Sequence, residues 1–231
     1  MLNGLPPFDL LEALRWQPGD GFYLLDYHLE RLTYSAQYFQ FKLDIAGLTA
    51  ALHEFSDRRE QAALKVRVIL SRCGAFAIES SPLGSLEGSV IGLARQPLPE
   101  PTPFIHHKTT RRQVYIDLLR DHCHSNLAVN DLVLWNQAGF VTESLIANVV
   151  IEIGGHLYTP PLQHGLLPGV FRRMLLEQRV IQEKSISIAQ LREAQSIHLI
   201  NSVRGWMSLR PFERGDIWTI AHSSLHAPRR I

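Results

Sequence analysis

Lys108 is the residue whose surroundings point most clearly to chemistry. The chain has only four lysines, and the other three fall in ordinary positions: Lys42 after a helix, Lys65 on the polar side of a strand, and Lys184 in a loop. Lys108 instead follows two histidines and precedes two threonines and two arginines, just after a proline-rich segment. Because an amine can hold a carbonyl compound as an imine, we predict that Lys108 is catalytic.

Three further features follow this lysine along the chain. Glu143 stands in a strand-turn-strand pattern, where a carboxylate could keep a pyridine nitrogen protonated. The segment 165–172 opens a helix, so the N–H groups of Val170 and Phe171 favour a phosphate. Ser202, in an Asn-Ser turn, could add a hydroxyl. An amine, a carboxylate and a cluster of phosphate donors are the parts that a pyridoxal phosphate site needs.

Each of these features also has an ordinary interpretation. Lys108 could be a solvated surface lysine, Glu143 an exposed edge-strand residue, and Arg31 a surface charge on an amphipathic helix. Many helices begin after Pro-Gly without binding an anion. Their occurrence in one chain, in this order, favours the chemical interpretation.

A metal site is the competing interpretation from a different class of chemistry. His122, Cys123 and His124 bring ligand types together, and His222 and His226 have the i, i+4 spacing of a helical pair. However, adjacent residues of a helix point to different faces, and no carboxylate completes either set. We therefore predict that the chain binds no metal.

Composition favours a small-molecule enzyme. The formal net charge is +1 and the two cysteines stand far apart in the sequence, so we expect neither nucleic acid binding nor a disulfide framework. No basic leader precedes an apolar segment, and no apolar run approaches the length of a membrane span. We expect a cytoplasmic protein that does not associate with a membrane.

The hydrophobic pattern predicts an α+β fold. Strands are expected at 8–16, 22–25, 64–70, 76–78 and 90–93, and helices after Asp26 and Asp44, which could cap them. Beyond them we predict helices at 112–122 and 169–179 and strands at 132–135, 149–153 and 197–200. The strand 197–200 is taken as the final one, with an irregular tail after Pro211. The prolines around residue 100 indicate a linker at 97–104 between a domain of residues 1–96 and one of residues 105–231.

These residues resemble the fold-type IV pyridoxal-phosphate enzymes, the class that holds branched-chain and D-amino-acid aminotransferases and 4-amino-4-deoxychorismate lyase. The resemblance spans most of the chain. Its motifs are the early hairpin, His28-Leu29-Glu30-Arg31-Leu32, the segment around Lys108, and the stretches 142–149, 166–172 and 199–206. It implies an α+β N-terminal domain, a barrel-like C-terminal domain, and sites near the interface of a homodimer.

The resemblance also implies a role for individual residues. Lys108 is the Schiff-base lysine, Glu143 lies at the pyridine nitrogen, and Arg31 binds the phosphate. The remaining cofactor-binding residues that it implies are Asn148, Val170, Phe171 and Ser202. We predict substrate binding by Arg204, Arg112 and Tyr115.

Within this class, the segments 11–16 and 107–110 look most like the lyase. We therefore expect a pyridoxal-phosphate lyase of folate biosynthesis that forms 4-aminobenzoate and pyruvate, with a functional link to a chorismate-binding synthase component. Family lyases commonly have threonine where Ala13 stands, so a hydroxyl that could assist proton transfer is missing. Two alternatives stay open: a class IV aminotransferase acting on branched-chain or D-amino acids, and a non-catalytic relative of the fold.

Overall fold

The chain forms two compact units. A computed structural model describes residues 7–57, 62–99, 102–122, 128–212 and 215–227. Unit 1 comprises the residues up to Gly84 together with His107–Arg111, and unit 2 comprises Ser85–His106 and the chain from Arg112 onward. This division differs from the predicted boundary at 97–104, because the chain enters unit 2 earlier and returns to unit 1 for the few residues around Lys108.

Unit 1 consists of an antiparallel sheet and two helices. The sheet has the order β2-β1-β3-β4. Its elements are β1 (Leu10–Gln17), β2 (Gly21–Phe22), α1 (Leu25–Phe39), α2 (Ile45–Asp57), β3 (Leu64–Leu70) and β4 (Phe76–Pro82). The predicted hairpin is confirmed, since Trp16 pairs with Phe22 across β1 and β2.

The two helices of unit 1 begin in different ways. Asp44 caps α2 as predicted, because its Oδ1 accepts a hydrogen bond of 2.9 Å from the Gly47 N–H. The prediction that Asp26 caps α1 is wrong. Leu24 holds the N-cap position with a left-handed backbone (φ 56°), and Asp26 lies within the first turn, where its charge still favours the positive end of the helix dipole.

Unit 2 contains a closed barrel of seven strands. Around the barrel the order is β8-β11-β12-β13-β5-β6-β7, and β7 pairs with β8 to close it, while β9 and β10 extend the sheet beyond β8. The strands are β5 (Val90–Leu93), β6 (Asp131–Trp135), β7 (Val141–Ser144), β8 (Asn148–Ile153), β9 (His156–Thr159), β10 (Gln182–Glu183), β11 (Ser196–Asn201), β12 (Gly205–Pro211) and β13 (Ile217–Ser224).

Three helices accompany the barrel strands. They are α3 (Gln113–His122), α4 (Val170–Glu177) and α5 (Ile188–Arg192), with short 3-10 turns at Pro103–His106 and Leu162–His164. The barrel interior is filled by aliphatic residues from facing strands, which are Val133, Val149, Ile151, Leu199 and Met207, together with Ile91 of β5. This core establishes the predicted barrel-like character of the C-terminal part.

Two sequence-based expectations about unit 2 are wrong. The strand predicted at 197–200 is not the last, because β12 and β13 follow it, and β13 runs through the tail that was expected to be irregular. Trp218 and Ile220 of β13 are buried, and the strand is required to join β12 to β5. His222 therefore lies on a strand, so the helical spacing assumed for His222 and His226 does not apply.

Gly205 is essential to the β12–β13 pairing. Its φ is +70°, and a Cβ added there would lie 2.2 Å from the Ser224 carbonyl oxygen, which is backbone and cannot turn aside. Gly155 also has a positive φ (+74°), but a Cβ there would meet nothing within 4 Å. Alanine at Gly155 would therefore introduce backbone strain alone, whereas alanine at Gly205 would introduce both backbone strain and a steric clash.

We predict that Gly205→Ala lowers the free energy of unfolding by about 3 kcal/mol or more, and Gly155→Ala by only about 1 kcal/mol. Both alanines have the strain of a left-handed backbone, but only the first collides with the neighbouring strand. Urea unfolding of the two variants measures the difference. Equal losses would contradict the close approach of β12 to β13.

Candidate active site

Lys108 lies beside the first strand of unit 1. The Leu11 N–H donates to the Lys108 carbonyl at 2.9 Å, and Thr109 forms an antiparallel bridge with Leu10. His107 is buried, with its Nδ1 2.9 Å from the Ser35 hydroxyl of α1. The segment therefore behaves as a short additional strand at the edge of the sheet, and its backbone holds Lys108 in place.

A buried charged network lies in the same unit. The Glu12 carboxylate accepts hydrogen bonds from Nε and Nη2 of Arg31 at 2.9 and 2.6 Å, and from Nδ1 of His28 at 2.6 Å. Burial alone would raise the Glu12 pKa, but the charges and hydrogen bonds of Arg31 and His28 outweigh it and lower the pKa to about 2. The guanidinium of Arg31 is thus oriented by a permanent anion.

Sequence reasoning did not identify Glu12 or His28 as part of the site. Burial lowers the pKa of His28, and the adjacent Glu12 carboxylate partly opposes this effect. A signal existed: Glu12 occupies a position of β1 that the alternating pattern assigns to the core, and a buried glutamate requires a cationic partner. The positive charge of Lys108 is the last and smallest of the named effects that lower the His28 pKa.

The other predicted residues belong to unit 2, where Glu143 is the centre. The buried Glu143 carboxylate accepts a hydrogen bond from the Tyr115 hydroxyl at 2.9 Å and from the Leu167 N–H at 3.0 Å. Burial and the adjacent Glu143 charge raise the Tyr115 pKa, so the phenol keeps its proton. A carboxylate oxygen can accept more than one hydrogen bond, so the group is of a type that can bind an N–H donor.

Asn148 is the strand partner of Glu143 across the closing pair β7–β8. Its Nδ2 donates to the Leu167 carbonyl at 2.9 Å, so the two side chains hold the N–H and the C=O of the same residue. A Cβ at Gly169 would lie 2.0 Å from Asn148 Oδ1, which makes glycine necessary at the entrance to α4. Asn148 therefore fixes the loop that leads into the predicted phosphate site.

The N-terminus of α4 has the character that an anion requires. Gly169 is the N-cap, no side chain caps the helix, and its first turn contains no acidic residue. Val170 and Phe171 begin the helix, and the Phe171 ring meets Trp206 of β12 edge-on, with centroids 6.4 Å apart. The backbone dipole of this helix end is not neutralised by an acidic side chain of its own.

The turn that carries Ser202 and Arg204 is tied to the turn after Glu143. Asn201 Oδ1 accepts from the backbone N–H of Val203 and of Arg204, and its Nδ2 donates to the Ile146 carbonyl at 3.2 Å. Ser202 is buried in this turn. Two loops of unit 2 thus meet at one end of the barrel.

Arg112 and Tyr115, predicted to bind substrate, have partners of their own within unit 2. Arg112 donates to the Leu145 carbonyl, and its guanidinium lies 4.7 Å from the centroid of the Tyr115 ring. Together with the hydrogen bond from Tyr115 to Glu143, this arrangement makes the pair a support for the carboxylate. Their predicted contact with substrate stays a prediction.

The structure describes only some of the residues considered for a metal site. Within the described ranges no group of three His, Cys, Asp or Glu side chains is arranged to hold an ion. Cys123 and His124 lie outside those ranges.

Among the described helices, none is both long and apolar enough to cross a membrane.

Comparison with known proteins supplies an independent view of the chain. The sequence model of the family described as amino-transferase class IV matches residues 9–211. A proposed aminodeoxychorismate lyase of Schizosaccharomyces pombe is 31% identical over 198 residues, which cover 79% of this chain and 81% of the relative.

Two solved structures are similar in fold. A proposed amino-acid aminotransferase from Mesorhizobium loti superimposes with a TM-score of 0.78 at 33% identity, covering 87% of this chain and 98% of that one. The 4-amino-4-deoxychorismate lyase of Pseudomonas aeruginosa has a TM-score of 0.73 at 21% identity, covering 93% and 86%. The second similarity establishes the fold alone.

The turn that follows Glu143 depends on a buried acid. Asp131 accepts hydrogen bonds from the backbone N–H of Leu132 and Leu145 and from the Ser144 hydroxyl at 2.7 to 2.9 Å. Burial raises its pKa to about 6, because these three donors only partly replace water around the ionised carboxylate. The folded protein therefore holds this proton more tightly than the unfolded chain.

We predict that Asp131→Asn stabilises the protein relative to wild type as pH rises from about 4 to 7. The raised pKa favours folding at low pH, and this contribution is lost as pH rises through 6, at a cost of roughly 2–3 kcal/mol. Asparagine stays neutral: its Oδ1 can accept from the Leu132 and Leu145 N–H groups, and its Nδ2 can donate to the Ser144 hydroxyl oxygen, which reverses the direction of that third hydrogen bond. Urea unfolding at several pH values gives the difference between the proteins, and Asp117→Asn, at an exposed helix position, serves as the control. A difference that does not change with pH would contradict the assignment.

Proposed function

Because the chain belongs to the class IV aminotransferase family, whose members are pyridoxal-phosphate enzymes, we propose that it is a lyase that forms 4-aminobenzoate and pyruvate from 4-amino-4-deoxychorismate. The similarity to the fission yeast protein, which extends over most of both chains, supports this assignment most directly. The segments 11–16 and 107–110, which look most like the lyase, support it further.

The residues of this chain suit the cofactor. When bound, pyridoxal phosphate supplies an aldehyde that holds the substrate amine and a ring that accepts electrons from the carbon that loses its proton. In unit 2, the Glu143 carboxylate is of a type that can bind a pyridine N–H, and α4 begins without a capping side chain where a phosphate would bind. In unit 1, Lys108 supplies the amine.

Lys108 carries the proton transfer in this proposal. Its amine takes the proton from the substrate carbon that bears nitrogen, after which the enolpyruvyl group departs and is protonated to pyruvate. Ala13 has no hydroxyl that could share this task. The proton transfer is therefore assigned to Lys108 alone, whose backbone is held beside β1.

Glu143 and Arg31 have electrostatic roles. Glu143 keeps a proton on the pyridine nitrogen, and Tyr115 orients the carboxylate without competing for its charge, since its own pKa is raised. Arg31 is assigned to the phosphate, with its guanidinium oriented by Glu12. Val170, Phe171, Ser202 and Asn148 complete the proposed cofactor site.

An aminotransferase is the second candidate, supported by the similarity to the Mesorhizobium loti protein at 33% identity. It would use the same first proton removal by Lys108 but would require a keto acid as second substrate. Homodimer formation and a functional link to a chorismate-binding synthase component remain part of the proposal. A non-catalytic relative would lack both activities.

The decisive experiment is to supply the purified, cofactor-loaded protein with each substrate set. We expect aminodeoxychorismate to yield 4-aminobenzoate and pyruvate in equal amounts, without added keto acid. Branched-chain or D-amino acids with 2-oxoglutarate or pyruvate should give little transfer. Steady amino-group transfer without lyase turnover would move the assignment to the aminotransferase, and the absence of both would favour the non-catalytic relative.

We predict that Lys108 alone carries the cofactor. Borohydride reduction followed by peptide mass spectrometry should place the cofactor mass on Lys108, and Lys108→Ala should abolish both this mass and the visible absorbance of the bound cofactor. Lys65→Ala is the matched control, because this lysine lies on β3 of the same unit. Cofactor mass on another lysine would overturn the assignment.

A further inference from the structure

The sheet of unit 1 has two faces of different character. Along β1, Glu12 bonds to α1, and the Trp16 indole donates to Ser56 of α2 at 2.8 Å, so this side of the strand faces the helices. Side chains alternate along a strand, which puts Leu11, Ala13 and Arg15 on the opposite side. We call this side, away from α1 and α2, the open face.

Lys108 belongs to the open face. Thr109 is bridged to Leu10 and is buried with it on the helix side, and cross-strand partners share a face. Lys108, one residue earlier, is directly opposite Leu11 and alternates to the other side. The Lys108 side chain therefore leaves the backbone on the same side as those of Ala13 and Arg15.

Three basic residues lie near Ala13 on this face: Arg15, Lys65 and Arg67. In the antiparallel pairing of β1 with β3, Arg67 is opposite Ala13 and Lys65 is opposite Arg15. Arg67 also has an acid to balance it, since its Nη1 is 3.1 Å from Oε2 of Glu79 on β4, and both side chains are exposed. Glu79 pairs with Arg67, and Arg15 lies two residues farther along β1 on the same face.

Arg15 has an unusual environment for a guanidinium. Its Nε is buried and has no hydrogen-bond acceptor in the part of the chain that the structure describes. Burial lowers its pKa, and the nearby Tyr23 partly counters this effect. A desolvated donor without an acceptor is costly, so this position favours an incoming anion.

The spacing on the face sets the size of that anion. Ala13 is about 7 Å and Arg15 about 14 Å along β1 from the position opposite Lys108, at roughly 3.4 Å per residue. Between these two positions Ala13 contributes only a methyl group. A ring with its amine at one end and its carboxylate at the other can span this gap, whereas the carboxylate of a simple α-amino acid lies next to its amine.

We propose that Arg15 is the specificity-determining residue that binds the ring carboxylate of the substrate, with Ala13 as the floor beneath the ring. This inference rests on the proposed lyase function for the identity of the substrate. The feature that it explains, an Arg15 Nε that is buried without an acceptor among the described residues, belongs to the chain itself.

Ligand binding tests the proposal without turnover. In calorimetric titrations of the cofactor-loaded protein, 4-aminobenzoate should bind at least tenfold more tightly than 4-aminobenzamide, which has the same shape without the charge. Arg15→Gln should reduce this ratio to below threefold, and Arg15→Lys should keep much of it. Arg67→Gln, which removes the same charge from a residue already paired with Glu79, should change the ratio less than twofold.

The outcomes separate this proposal from the function it rests on. Equal binding of acid and amide by wild type, or an unchanged ratio in Arg15→Gln, would overturn the role of Arg15 even if lyase turnover is found. A ratio that depends on Arg15 in a protein without lyase turnover would preserve the carboxylate site and reject only the reaction. If Arg15→Gln fails to fold, the wild-type ratio and the Arg15→Lys ratio still decide, because a ratio near one in either contradicts the proposal.

Discussion

Glu143 and Asn148 face each other across the pair of strands that closes the barrel, and together they hold the backbone of Leu167. The position of α4 depends on these two hydrogen bonds, because only Pro168 and Gly169 separate Leu167 from the helix and a side chain at Gly169 would displace the Asn148 amide. One cross-strand pair therefore couples barrel closure to the helix end proposed to bind a phosphate. The Asp131 hydrogen bonds to the adjoining turn keep the pair in register.

Unit 1 contains a buried charged network around Glu12. Removing Glu12 from water is unfavourable, and the cost is offset only because Arg31 and His28 both bind its carboxylate. Such a network contributes modestly to stability, but it allows few alternative positions for the guanidinium. Orientation is the property that a phosphate-binding arginine needs. Arg15 differs, because its buried Nε has no acceptor within the part of the chain that the structure describes.

In this proposal the two faces of β1 therefore have different roles. The helix side carries Glu12, which orients the cofactor arginine, and the open face carries Ala13 and Arg15 beside Lys108. A lyase and an aminotransferase share the lysine and the cofactor, so they differ in what surrounds the substrate. Ala13 has no hydroxyl, so in the proposed lyase this position of the open face can contact the substrate ring but cannot assist proton transfer.

Local pattern in the sequence determined the α+β composition, the early hairpin, most element positions and the choice of Lys108, because alternation, capping residues and turn chemistry act over a few residues. Resemblance to a family supplied the roles of Glu143 and Arg31. The tertiary structure alone decided that the chain leaves unit 1 at Gly84 and returns at His107, that β13 completes the barrel, and which groups hold Glu143 and Arg31. These contacts join residues far apart in sequence, and no local pattern encodes which distant partner will satisfy a buried strand edge or charge.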